Sequence, residues 1–141
     1  MNPTVPVVDP TTYRPANHKP RVMIVEDDAT LLHMYTEKFT IENFDVLTAR
    51  DGEAAYHMLK TQMPDCVLLD LHIPKMEGLA LIEKLRAENA TLPPILALTN
   101  IAEVSQREKA FSLGIKEYLV KAMLTPEAVV AKVREQLAIT P

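Results

Sequence analysis

The stretch Val22-Met23-Ile24-Val25-Glu26-Asp27-Asp28 joins a short apolar run, rich in β-branched residues, to three consecutive acids. Comparable short apolar runs recur along the chain at residues 44–49, 66–69, 95–98 and 118–120. They show no regular alternation with polar residues, which is typical of strands that are buried on both faces of a parallel sheet. The sequence therefore predicts five buried strands.

Helical patterns lie between these runs. Apolar residues spaced three or four apart predict five helices, with apolar faces that begin near Leu31, Ala54, Leu79, Val104 and Val129. Asp51 and Thr125-Pro126 supply starting signals for the second and fifth helices, and Gly114 is suited to end the fourth. Five successive β-α units predict an α/β fold, in which a five-stranded parallel sheet carries helices on both faces.

Composition excludes several classes of function. A net charge of −4 argues against a nucleic-acid surface, and three glycines form no Gly-rich phosphate loop. The single cysteine, Cys66, excludes an intramolecular disulfide and a multi-thiolate metal site, and it favours the reducing cytoplasm. No apolar run reaches membrane-spanning length, so we expect no membrane partner.

The prolines divide the chain into two parts. Five of the 11 prolines fall within residues 1–20, which predicts a Pro-rich, flexible N-terminal tail. Residues 21–141 have the length of one folded domain. We expect no effector domain within this sequence, which fits either a stand-alone domain or a piece of a longer protein.

Polar side chains follow four of the five predicted strands. Glu26 and Asp27 follow the first strand, Asp70 the third, Thr99 the fourth and Lys121 the fifth. Carboxyl ends of parallel strands share one edge of the sheet, where ligands bind. Crowded carboxylates repel one another unless a cation is present, and Mg²⁺ prefers such oxygen ligands. Together with an ammonium and a hydroxyl, they predict a receptor for a phosphoryl group, with a carboxylate as the nucleophile.

Four motifs resemble the CheY-like receiver domains of two-component response regulators. They are Val22–Asp28, Cys-Val-Leu-Leu-Asp-Leu-His-Ile-Pro-Lys-Met-Glu-Gly (66–78), Ile-Leu-Ala-Leu-Thr-Asn (95–100) and Gly-Ile-Lys-Glu-Tyr-Leu-Val-Lys (114–121). The resemblance extends from residue 21 to about residue 138. It implies a flavodoxin-like strand order 2-1-3-4-5 and a phosphoprotein that takes its phosphoryl group from a histidine kinase or a histidine phosphotransfer protein.

The resemblance also implies the roles of the site residues. Asp70 would accept the phosphoryl group, and Thr99 and Lys121 would bind its oxygens. The Mg²⁺ ion would be held by Glu26, Asp27, Asp70 and the backbone carbonyl of His72. The only chemistry expected is phosphotransfer onto the chain itself and autodephosphorylation, so the protein would not be an enzyme.

The same resemblance implies a conformational switch. Thr99 would move toward the phosphoryl group, and Tyr118 would turn inward. The surface formed by the fourth helix, fifth strand and fifth helix would then bind a downstream protein target or a second copy of the chain.

Three departures from the family pattern stand out, the first being Glu26, which stands where aspartate is also common. Lys121 is followed by Ala122, where the family usually has a proline after a cis bond. A cis bond before a residue other than proline costs roughly 2.5–4 kcal/mol, so the loop is expected to be either strained or reshaped. Asn100 replaces a usually small residue and is expected to crowd the pocket. His72 and Ile101 resemble positions that tune phosphate lifetime; His72 would either donate a hydrogen bond or position water there, or supply only its carbonyl.

Two alternatives stay open at the level of sequence. One is a pseudo-receiver that binds partners without phosphorylation, for which Ala122 and Asn100 are the supporting residues. The other is an Mg²⁺-dependent phosphohydrolase of the haloacid dehalogenase type. The segment Asp70-Leu71-His72 lacks the second acid of that family's Asp-x-Asp motif, and the chain has no room for a substrate cap.

Overall fold

Five parallel strands form one sheet in the order β2-β1-β3-β4-β5, as expected for the flavodoxin-like arrangement. The computed structural model describes residues 18–100 and 102–139. The strands are β1 (Arg21–Val25), β2 (Asp45–Ala49), β3 (Cys66–Asp70), β4 (Ile95–Thr99) and β5 (Glu117–Val120). Because β1 and β3 are neighbours, the residues that follow Val25 and those at the end of β3 meet at one edge.

Each strand is followed by a helix. The helices are α1 (Ala29–Ile41), α2 (Gly52–Thr61), α3 (Gly78–Ala87), α4 (Val104–Ser112) and α5 (Pro126–Leu137). Asp28, Asp51 and Thr125 cap α1, α2 and α5 by accepting backbone N–H bonds of 2.9, 2.7 and 3.2 Å. Gly114 follows α4 with a φ of 90°, a left-handed conformation that favours glycine. These local signals agree with the predicted helix boundaries.

The apolar core has two layers, one on each face of the sheet. Val22 and Ile24 of β1 pack with α1 and α5, whereas Met23 and Val25 pack with α2, α3 and the buried Ala110 of α4. All five residues of β3 are buried. Burial on both faces explains why the strand sequences do not alternate between apolar and polar residues.

The loop after β5 departs from the family pattern in shape. Lys121–Met123 form a single 3₁₀ turn. The bond between Lys121 and Ala122 is trans, since the described residues contain no cis peptide bond. The loop was expected to be either strained by a cis bond or reshaped, and the structure shows that it is reshaped.

The start of the described chain already contacts the domain. Pro20 accepts a hydrogen bond of 2.9 Å from Asp45 N–H, and His18 Nε2 lies 3.4 Å from Asp65 Oδ2. Residues 1–17 of the predicted tail lie outside the described residues, as does Ile101. Within the described ranges, no helix has both the length and the apolar character needed to cross a membrane.

Candidate functional site

Three carboxylates converge where β1 and β3 end. One side-chain oxygen from each of Glu26, Asp27 and Asp70 lies within 4.8 Å of the other two. Glu26 and Asp70 are only 2% and 6% exposed, whereas Asp27 is exposed to solvent. Oxygen donors this close together form the ligand set that a hard divalent cation prefers, and Mg²⁺ fits it.

The ammonium of Lys121 lies between two of these carboxylates. Its Nζ donates a 3.0 Å hydrogen bond to Asp70 Oδ2 and a second hydrogen bond to Glu26 Oε1. The Lys121 side chain is only 8% exposed. The reshaped loop therefore still delivers this cation from β5 to the edge formed by β1 and β3.

Backbone and side-chain donors hold the carboxylates in place. The N–H of His72 donates to Asp70 Oδ1 at 3.0 Å, and the N–H of Asp28 donates to Glu26 Oε2 at 3.2 Å. Arg50 Nη2 donates to the backbone carbonyl of Asp27 at 3.1 Å. Asp70 is thus held through both of its oxygens, one by the backbone of its own loop and the other by Lys121.

The site is electrostatically crowded. Burial raises the pKa of Glu26 from 4.5 to about 7, against the opposing effect of its hydrogen bond to Lys121, and the nearby Asp70 adds to the rise. Burial works against the charged form of Lys121, but its bonds to Glu26 and Asp70 outweigh this and raise its pKa above the ordinary value. Lys121 is therefore a cation here, and it is shared between two carboxylates that compete for it.

A cavity of about 370 Å³ opens above these groups. Glu26, Asp27, Asp70 and Lys121 line it together with His72 and Asn100. Asn100 does face this space, as its position after Thr99 suggested. The His72 ring is half exposed, and its Nδ1 lies 3.9 Å from Glu77 Oε1, so a carboxylate lies near the imidazole on the loop after Asp70.

Thr99 and Tyr118 form a second, connected pair. Thr99 is the last residue of β4 and is fully buried, and Tyr118 lies on the neighbouring strand β5. Burial raises the pKa of Tyr118, while hydrogen bonds with the Glu103 backbone and with the Thr99 side chain oppose the rise. Glu103 is the residue before α4. The Tyr118 hydroxyl therefore links the end of β4 to the start of α4.

Two features of the site have no simple signal in the sequence. The contact between Arg50 and Asp27 arises because β2 lies beside β1, a neighbour relation that follows from the strand order. The close approach of Gly52 to the loop after Asp70 depends on how α2 packs. In the sequence, Gly52 is marked only by its place directly after Asp51, the predicted start of the second helix.

Comparison with known proteins points to one family. A family model described as the response regulator receiver domain matches residues 22–134. A protein of Porphyridium aerugineum named "Probable transcriptional regulator ycf27" is 33% identical over 119 residues, which are 84% of this chain and 48% of that protein. "Regulatory protein AtoC" of Escherichia coli (strain K12) is 30% identical over 101 residues, 72% of this chain and 22% of that protein. The chain spans about half the length, or less, of these relatives.

Solved structures agree with the fold. The Francisella response regulator 1452 receiver domain superposes with a TM-score of 0.79 at 22% identity, covering 85% of this chain and 98% of that one. A CheY-like receiver domain protein from Methanospirillum hungatei JF-1 gives a TM-score of 0.78 at 22% identity, covering 85% and 94%. With the family model matched over most of the sequence, the chain belongs to the response regulator receiver domain family.

Proposed function

We propose that the chain is a phosphoacceptor receiver domain, which takes a phosphoryl group onto Asp70 and uses it to switch a protein-interaction surface. One observation carries this proposal. A buried ammonium, that of Lys121, bonds directly to Asp70 at the sheet edge where Glu26 and Asp27 also converge. A carboxylate beside a fixed cation and further oxygen ligands is suited to accept a group that carries negative charge.

The proposed chemistry is a transfer between two nucleophiles. A side-chain oxygen of Asp70 attacks the phosphorus of a phosphohistidine, the P–N bond breaks, and its electron pair returns to the imidazole nitrogen, which is then protonated. Lys121 lies 3.0 Å from Asp70 Oδ2 and is placed to bind a phosphoryl oxygen. Glu26, Asp27, Asp70 and the His72 carbonyl would hold Mg²⁺, which when bound neutralises charge on the phosphoryl oxygens.

The proposed switch connects Asp70 to α4. A phosphoryl group adds about −1.5 to −2 units of charge beside Lys121. If the Thr99 hydroxyl turns to bind that group, it gives up its hydrogen bond with Tyr118, which also contacts the backbone of Glu103. A change at Tyr118 would then reach the surface formed by α4, β5 and α5, where a downstream protein or a second copy would bind.

Partners and compartment follow from this proposal. A cytoplasmic histidine kinase or histidine phosphotransfer protein would supply the phosphoryl group. The domain would be no enzyme toward other substrates, because the reacting carboxylate is its own Asp70. The net charge of −4 supports a protein partner over a nucleic acid for this chain.

The test is intact-mass spectrometry after incubation with MgCl₂ and a small acyl phosphate, compared between wild type and Asp70→Asn. We expect one phosphoryl adduct on the wild type and none on Asp70→Asn, and no adduct on the wild type when EDTA is present from the start. No adduct on the wild type would contradict the proposal and favour a pseudo-receiver. Multiple turnover of an unrelated phosphate ester would favour a phosphohydrolase.

A further inference from the structure

The loop that follows Asp70 is the least regular part of the site, yet it must be accurately placed. It comprises residues 71–77 between β3 and α3 and carries His72, whose N–H bonds to Asp70 Oδ1. Lys75 within it has a left-handed φ of 68°, and residues 71–77 belong to neither a helix nor a strand. The buried side chains of Leu71 and Ile73 anchor it from the core side only.

Gly52, the first residue of α2, holds this loop from one side. Its N–H donates to the Pro74 carbonyl at 3.1 Å. A Cβ atom at this position would overlap the carbonyl oxygen of Met76 and lie 2.7 Å from its carbonyl carbon. These are backbone atoms that cannot rotate away, so any larger residue must push the loop from α2. The close approach of α2 to the Met76 backbone therefore requires glycine at position 52. The neighbouring Asp51 also contacts the loop, through a 3.7 Å ion pair with Lys75.

Gly78, the first residue of α3, holds the other end of the loop. Its N–H donates to the Leu71 carbonyl at 3.0 Å. A Cβ atom here would lie 2.9 Å from Leu71 Cα and 3.0 Å from the carbonyl oxygen of Asp70 itself. The first residue of α3 therefore packs directly against the backbone of the predicted phosphoacceptor.

We propose that Gly52 and Gly78 are positioning residues of the site. By letting the first turns of α2 and α3 close on the loop, they set the position of His72, and through it the orientation of Asp70 and the carbonyl proposed for Mg²⁺. This inference rests on the proposed function, because it concerns the same metal and the same carboxylate. Groups that orient metal ligands without touching the metal typically affect metal affinity by about 10–100-fold.

The experiment compares three Gly→Ala variants of the full chain, with MgCl₂ as the probe. Gly52→Ala and Gly78→Ala alter the loop, and Gly78→Ala is the milder because its closest contacts are near 3 Å. Gly114→Ala is the matched control, because alanine is strained at the positive φ of Gly114. Gly114 follows the C-terminal end of α4, whereas the carboxylates lie at the edge where the strands end. Mg²⁺ binding is followed by calorimetry and by the amide signal of His72 in NMR spectra, and thermal stability is recorded for each variant.

We expect Gly52→Ala to weaken Mg²⁺ binding about tenfold and to move the His72 amide signal even without metal, while Gly114→Ala loses stability but binds Mg²⁺ as the wild type does. If Gly52→Ala fails to fold, Gly78→Ala must show the same two changes to a smaller degree. Wild-type Mg²⁺ affinity in both loop variants overturns the positioning role and leaves the proposed function intact. A wild type that binds no Mg²⁺ overturns the proposed function and this inference with it.

Discussion

Replacement of Glu26 by Gln is expected to stabilise the metal-free protein, and to do so far more at high pH than at low pH. Burial raises the pKa of Glu26 from 4.5 to about 7, so the folded state holds this proton more tightly than the unfolded state. Stability then falls as the pH rises between these two values and stays reduced above them. Because each pKa unit corresponds to about 1.4 kcal/mol, the charged form costs the folded protein about 3 kcal/mol.

The assay is urea unfolding in EDTA at about pH 5 and at about pH 8.5. Most of the expected loss of stability falls between these two pH values. The free energy of unfolding of Glu26→Gln should exceed that of the wild type by about 3 kcal/mol at the higher pH and by much less at the lower pH. Added Mg²⁺ should stabilise the wild type more than the variant, because the ion would bind the charged carboxylate that burial disfavours. If the variant is no more stable than the wild type at the higher pH, or is more stable by the same amount at both pH values, burial of Glu26 does not raise its pKa.

Glu42→Gln is a matched control, for which we expect a loss of stability where Glu26→Gln gains it. Hydrogen bonds from Arg134 and then Lys38 lower the pKa of Glu42, and Arg134 Nη2 lies 3.0 Å from Glu42 Oε2. A lowered pKa contributes stability above the unfolded value, which is lost as the pH falls through the folded value. Glu42→Gln should therefore lose stability at both test pH values, which lie above 4.5.

Three further predictions concern the framework around the site. Burial raises the pKa of the Cys66 thiol to about 12, so near pH 8 the native protein should resist alkylation by iodoacetamide. Mass spectrometry should show one added group on the urea-unfolded protein, and rapid labelling of the native protein would contradict this prediction. The Thr125 hydroxyl caps α5 by accepting a 3.2 Å hydrogen bond from Ala128 N–H, so Thr125→Ala should lower the free energy of unfolding in urea by about 1 kcal/mol. An unchanged unfolding midpoint would exclude a contribution from this cap. Phe39→Ala should cost about 3–5 kcal/mol in the same assay, because Phe39 is fully buried with its ring 5.0 Å from that of Phe44, and a loss below about 1 kcal/mol would contradict the packing described.

Much of the fold could be predicted because its signals are local. Apolar runs without alternation follow from a sheet buried on both faces, and the caps at Asp28, Asp51 and Thr125 depend only on residues within one turn. The site was predictable for a related reason. In a parallel sheet every strand ends at the same edge, so Asp70 at the end of β3 and Lys121 directly after β5 share that edge.

The remaining features depend on packing between elements far apart in sequence. The hydrogen bond of Lys121 with Glu26 required the actual turn at Ala122, which a sequence without the usual proline leaves undetermined. The contact of Gly52 with Met76 arises from the placement of α2 against the loop after β3. Such distances are set by tertiary packing, and no local pattern encodes them.

The most direct test of Asp70 as the phosphoacceptor is to identify the residue that carries the phosphoryl group. Protein incubated with MgCl₂ and a small acyl phosphate is treated with borohydride, which reduces an aspartyl phosphate to homoserine. Peptides from the whole chain, including those that contain Asp27 and Asp70, are then sequenced by mass spectrometry. We expect homoserine at position 70 alone, and only when Mg²⁺ is present. Homoserine at Asp27 or another aspartate, a reduced glutamate, or no reduced residue at all, would contradict the assignment of Asp70 as the phosphoacceptor.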